Sequence, residues 1–351
     1  MEKRSVWATG LALFSMFFGA GNLVFPLIIG RATGSESGVA VLGLGISAVL
    51  FPLLGLVAMM FYGGDLRAFL GKLGKWPMLG VMALLYMSQG PVGSMPRHFT
   101  LMHASLKPYV PGLSLVVFSV VIACVVFGLT VRPREMMRWL GRVLTPVLLG
   151  VLSVLFVAGG FNAPAAHGAA GALHPFSQGL KGGYQTLDLT AALLFATLVM
   201  PYLGQVRQRV LGASVIAAGL LMTAYIGLCF LAAHYPTSCA PEDMLHNIAV
   251  QVLGPAGGVC ATVAVFLACL TTNITLAALF AEYVRREFFQ GKISLAWPLA
   301  GTLVVTALMA NLGFTGIMRV LEPVLEIAYP GLILLCLWNM IYVPRATSPS
   351  R

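Results

Sequence analysis

Ten long apolar runs, each bounded by charge, glycine or proline, occupy most of the chain, near residues 6–30, 39–62, 77–104, 113–131, 139–159, 184–203, 210–233, 258–281, 294–311 and 320–343. A bilayer core about 30 Å thick takes about 20 apolar residues per helix. Backbone groups in hydrocarbon must bond within their own segment, so the runs predict an all-α polytopic membrane protein of about 10 transmembrane helices. Composition agrees, because only 9% of residues are charged, against about 25% in soluble domains. The lipid bilayer is therefore a required partner. Gly (39) and Pro (20) are abundant, which membrane helices tolerate where neighbours or a cavity satisfy the freed backbone groups, so interrupted helices are expected.

The formal charge of +10 comes from 21 Lys and Arg against 11 Asp and Glu. The basic residues lie in the loops and form no stripe with interleaved aromatics, so no nucleic acid is implied. Loops assigned alternately to two sides divide the 21 basic residues sixteen to five. By the positive-inside rule both termini are cytoplasmic and the span count is even. The first run follows Met-Glu-Lys-Arg but lacks a small-residue cleavage site and reads as the first helix rather than a removable leader. The six cysteines show no CxxC or Cys/His spacing, so neither a metal site nor a disulfide framework is expected.

Five spans precede residue 160 and five follow it. An odd number per half gives the halves opposite orientations, which predicts an inverted repeat, residues 5–160 and 183–343, within one membrane domain, 1–343. The tail at 344–351 is polar and falls on the cytoplasmic side. Two longer outside loops stand apart, near 160–183 and 234–257; in the second, Met244 to Leu253 is too short to span and reads as a re-entrant or surface-lying helix.

Polar residues inside the runs carry the chemistry. The first run contains Phe18-Gly19-Ala20-Gly21-Asn22-Leu23-Val24-Phe25-Pro26, where glycine and proline weaken the helix. An unwound stretch there would expose amides and carbonyls to a ligand; close packing through small residues is the other reading. At the same relative place in the second half stands Gly183-Tyr184-Gln185-Thr186-Leu187-Asp188-Leu189. A carboxylate within a span needs a partner, a proton or water, and Asp188 either meets a cation or ammonium or caps a helix near the outer interface. In the eighth run Thr271 and Thr272 offer hydroxyls to a hard cation, or merely bond the preceding turn.

The third run holds Ser88-Gln89-Gly90-Pro91, which predicts a kink, followed by Arg97; Arg97 either snorkels to the outer interface or serves as an outer gate or substrate contact. In the last run Glu322 and Glu326 share a face, and the deeper Glu326 is the candidate for a gate, a proton site or a salt bridge to Arg319 or Arg97. No GxxxxGK[ST], HExxH or GxSxG pattern is present, so an enzyme is not indicated and no cofactor is implied.

With these residues in view, the chain resembles the branched-chain amino acid:cation symporter family of bacterial carriers, through the 18–26 segment, Gly90-Pro91 with Pro96-Arg97, Gly183 to Asp188, Ala268-Cys269-Leu270-Thr271-Thr272, Asn311-Leu312-Gly313 and Tyr329-Pro330. That family sits in the amino acid/polyamine/organocation superfamily. The resemblance implies a leucine-transporter-like five-plus-five inverted repeat with broken helices 1 and 6, in the bacterial cytoplasmic membrane. It implies symport of leucine, isoleucine and valine with Na⁺ or H⁺ by alternating access; the alternatives are another small neutral or hydrophobic amino acid, or a non-concentrating channel or sensor on the same fold. The helix 1 break at Ala20, Gly21 and Asn22 would hold the substrate's carboxylate or a sodium ion, and Thr186, Leu187, Asp188 and Leu189 its ammonium and side chain, with Gln89 lining the cavity. Carbonyls near Ser15, Phe18 and Ala268 with the Thr271 and Thr272 hydroxyls would form the cation site. Family members continue for two further helices, and the oligomeric state is open.

Overall fold

Glycine and asparagine decide where the first span stops being a helix. The computed structural model describes residues 6–131, 145–168, 174–203 and 207–342. Helix α1, Val6–Phe17, ends at Phe18 and Gly19, and α2, Ala20–Thr33, starts with its N-cap at the extended Gly19. Asn22 reaches back, its Oδ1 accepting from the Gly19 amide at 3.1 Å. A new helix start is thus built inside an apolar run, as a capping residue does at any helix N-terminus.

The second span joins α3, Ser37–Gly45, through one π-helical turn to α4, Phe51–Met60. A short α5, Leu66–Leu70, capped by Asp65, leads to α6, Lys75–Gln89. The expected kink in the third span is a full break, since α7, Ser94–Leu106, starts only after Gly90 to Gly93. The fourth and fifth spans are α8, Leu115–Thr130, and α9, Thr145–Phe161.

The largest departure from the apolar runs lies in the sixth span. Helix α10, Pro175–Gln185, occupies part of the stretch expected as an outside loop, and α11, Asp188–Leu203, follows a break at Thr186 and Leu187. Proline at the first helical position favours that start, but glycines dilute the apolar signal. They are there for contact: a Cβ on Gly179 would stand 1.8 Å from the Ala40 carbonyl oxygen, and one on Gly43 2.1 Å from that of Phe176. Only glycine on both faces lets α3 and α10 lie this close.

The remaining elements are α12, Arg207–His234; the short α13, Met244–Leu253; α14, Pro255–Phe289; α15, Ala296–Ala310; and α16, Gly313–Ile341. The α13 segment is a helix too short to span, as its length required. The eighth span outruns its apolar stretch by more than a turn at its C-terminal end, because Glu282 pairs with Arg285 and Arg286 along the same helix. Residues 132–144 and the tail 344–351 lie outside the described residues.

The described residues contain helices and no strand. Helices α1 and α2 pack on α12, α11 on α4, and α14 on α7, α1 and α15. Burial is highest around the two breaks and along α14, while valines of α8 and α15 such as Val116, Val120 and Val304 are exposed. That distribution is expected of a bundle whose outer helices face lipid, since hydrocarbon rewards no polar exterior.

Candidate functional site

Both broken spans interrupt their helices at the same place in the fold, and they touch there. A Cβ on Gly21 would come within 3.1 Å of both Cα and O of Thr186, so a bare glycine is what lets the backbones meet. Asn22 Nδ2 donates to Asp188 Oδ1 at 2.9 Å and Oδ2 at 2.8 Å. The Tyr225 hydroxyl, from α12, donates to Asp188 Oδ2 at 2.6 Å and accepts from Asn22. Asp188 is 1% exposed, so it is not an interfacial cap; it opens α11 in the interior, where three polar contacts compensate its burial.

Leu187 completes the sixth-span break with φ +67°. A β-carbon in the left-handed region costs about 1–2 kcal/mol. Gln89, at the third-span break, holds it: Nε2 donates to the Leu187 carbonyl at 2.6 Å and to the Thr190 hydroxyl at 2.8 Å. Gln89 thus supports the break rather than lining open space. Leu189 packs against Gly55 of α4.

The third convergence joins α14 to the first break. Thr272 Oγ1 lies 3.3 Å from the Ser15 carbonyl, 3.3 Å from that of Phe18 and 3.1 Å from that of Ala268. Thr271 Oγ1 lies 3.4 Å from Ser15 O and 2.9 Å from Ala268 O. Both threonines therefore bond their preceding turn, as membrane-helix threonines do, and both also face carbonyls freed where α1 ends. Three carbonyls and two hydroxyls meet with no sulfur or nitrogen among them. Such a donor set suits a hard cation.

Two further residues differ from expectation. Arg97 does not snorkel: it is 1% exposed and donates from Nη1 to the Gln185 carbonyl at 3.0 Å. The full break before α7 and the unpaired carbonyl ending α10 account for this inward course. Glu326 pairs with neither Arg97 nor Arg319; it meets Lys181 of α10 at 3.0 Å with both side chains substantially exposed. Two site residues escaped the sequence reading. Tyr225 sits within an apolar run with no local signal, and His98, whose Nδ1 lies 3.0 Å from Asn273 Oδ1, is a histidine buried within the third apolar run.

An apolar groove of about 470 Å³ between α8 and α15, lined by Val120, Phe127, Val304 and Leu308 among others, shares no residue with the breaks. Its walls could hold lipid chains but not a charged solute. The polar convergences, not that groove, mark the site.

The family described as branched-chain amino acid transport protein matches residues 2–346. The chain belongs to this family. The branched-chain amino acid permease BrnQ of Corynebacterium glutamicum is 31% identical over 350 residues, covering 97% of this chain and 82% of that one. The branched-chain amino acid transport system 3 carrier protein of Pseudomonas aeruginosa is 30% identical over 356 residues, 95% and 80% of the two chains. Among solved structures, Mhp1, a nucleobase-cation-symport-1 family transporter in a closed conformation with bromovinylhydantoin bound, superposes with TM-score 0.65 at 16% identity over 95% of this chain and 78% of that one. MhsT in complex with L-phenylalanine gives TM-score 0.63 at 17% identity over 90% and 80%. These likenesses show the leucine-transporter-like fold of about ten spans. A member of this family is a transporter and not an enzyme.

Proposed function

We propose that the chain is a secondary active symporter that carries leucine, isoleucine and valine together with a cation across the bacterial cytoplasmic membrane by alternating access. Relatives named as branched-chain amino acid permeases and carriers support the substrate class. The observation that carries the coupling is the all-oxygen cluster of Ser15, Phe18, Ala268, Thr271 and Thr272, a donor set for Na⁺. In this reading the substrate lies at the two breaks, beside Ala20, Gly21 and Asn22 of the first span and Thr186, Leu187, Asp188 and Leu189 of the sixth. The helix N-termini of α2 and α11 both point their positive ends into that region, which favours a carboxylate nearby. Asp188 offers the negative charge for the ammonium, and Gln89 holds the break that presents it.

One transport domain, with repeats near 5–160 and 183–343 and both termini cytoplasmic, would rock as two bundles around this fixed site. An apolar side-chain pocket separates leucine from valine by only about 1–3 kcal/mol per methylene, so all three branched substrates are accepted.

The experiment is uptake of labelled leucine into proteoliposomes, with a Na⁺ gradient and a proton gradient applied separately. Accumulation against the leucine gradient is expected with Na⁺. A channel or sensor would not accumulate leucine under either gradient, and accumulation with protons alone would move the coupling away from the oxygen cluster.

A further inference from the structure

Two buried opposite charges flank the sixth-span break, and they do not meet. Asp188 opens α11 and is held by Asn22 and Tyr225. Arg97 reaches the other side of the break, where Nη1 donates to the carbonyl of Gln185, the last residue of α10. The ion pairs among the described residues join Arg67 to Glu287, Lys181 to Glu326, and Arg285 and Arg286 to Glu282; none includes Arg97. Its Nε has no partner, and its guanidinium lies 5.8 Å from the Phe25 ring centroid. A buried guanidinium facing one carbonyl and one aromatic ring is far from compensated, since burial of a charge costs several kcal/mol unless a counter-charge repays it.

Capping the end of α10 explains part of this arrangement, because a cation favours the carbonyl end of a helix. It accounts for Nη1 and leaves Nε idle. A second polar atom is idle beside it: Gln185 Oε1, an acceptor, is buried without a partner. Tyr329, buried with an unpartnered hydroxyl, lies within electrostatic reach of both Asp188 and Arg97. Gln185 and Asp188 are three residues apart, and three residues span at most about 11 Å. The break therefore presents a fixed positive group with an idle Nε and a fixed negative group a short distance apart. An α-amino acid zwitterion has the complementary pair.

We propose that Arg97 receives the α-carboxylate of the bound amino acid, adding a charged partner to the helix amides of the first break, while Asp188 receives the ammonium across the same break. This rests on the amino acid carrier reading above and narrows it to solutes bearing both charges. A guanidinium binds a carboxylate through two parallel N–H donors, a geometry that neither Lys nor a neutral amide reproduces.

Binding of leucine and of leucinol, which keeps the ammonium and side chain but lacks the carboxylate, is measured on the purified full chain in lipid nanodiscs. Wild type is expected to prefer leucine over leucinol by about 100-fold, and Arg97→Gln to lose about 10- to 100-fold in leucine affinity while leucinol changes less than about threefold. Equal losses for both ligands would reduce Arg97 to a helix cap and overturn the proposal, as would an unchanged preference. Where Arg97→Gln does not fold, Arg97→Lys decides: a preference reduced at least about threefold with leucinol unaffected supports the proposal, and an unreduced preference overturns it. Wild type that binds neither leucine nor leucinol would instead sink the carrier reading itself.

Discussion

Asn22 and Asp188, 166 residues apart in sequence, are joined by two hydrogen bonds of 2.9 and 2.8 Å, one to each carboxylate oxygen. The contact ties the helix start of one broken span to the helix start of the other. Asn22→Ala is expected to take away both of its hydrogen bonds to the buried carboxylate and to lower stability by about 1–3 kcal/mol, the cost of an incompletely paired buried group. Thermal unfolding in detergent measures it, and a Tm within one degree of wild type would remove the structural importance assigned to this pair.

The oxygen cluster makes unequal demands on its two threonines. Thr272 Oγ1 lies within 3.3 Å of three carbonyls, whereas Thr271 Oγ1 reaches only two. Thr272→Ala should raise the Na⁺ concentration for half-maximal leucine uptake at least about tenfold, Thr271→Ala less, and Thr272→Ser should restore it, since one ligand to a hard cation is lost and regained. Unchanged Na⁺ dependence in Thr272→Ala places the cation elsewhere.

Gly21→Ala tests the meeting of the breaks directly. Its methyl would press within 3.1 Å of the Thr186 backbone, while a methyl on Gly80, in α6, meets nothing within 4 Å. Uptake is expected to fall at least about tenfold in the first variant and to stay within twofold in the second, because backbone cannot yield as a flexible side chain does. Parallel behaviour of the two variants would show that the contact has no bearing on transport.

Glu326→Gln removes one partner of an exposed pair with Lys181. Such pairs contribute about 0–1 kcal/mol, so leucine uptake and its pH profile should match wild type. An uptake-dead Glu326→Gln protein with wild-type stability would return this residue to the role of gate or proton site.

Much of this arrangement was legible in the chain. Apolar runs locate the spans because hydrocarbon forces every backbone group to bond internally. The broken first span follows from Gly19, Gly21 and Asn22, and the paired hydroxyls from Thr271 and Thr272, since these residues conflict locally with an apolar helix. Helix α10 was hidden for the opposite reason: its glycines serve contact with α3, and contact between distant segments leaves no periodic mark. Tyr225 resembles any aromatic in a span until Asp188 is seen beside it. Arg97 misled because the break at Gly90 to Gly93 places it in the first turn of a new helix, α7, from which it reaches inward to the Gln185 carbonyl.

The interruption at Phe18 and Gly19 has one more effect. Ser15 and Phe18 turn carbonyls toward α14, and Gly21 and Asn22 turn toward the sixth span, all within eight residues that straddle the break between α1 and α2. A cation on the first part and an amino acid on the second would draw on the same conformational entropy. On the symporter reading, whichever solute arrives first would order this segment and the second would find that ordering already done, so each would tighten the other without touching it. Cooperativity of this kind would make the half-loaded protein the weaker binder of either solute, so that both would tend to be bound together or not at all.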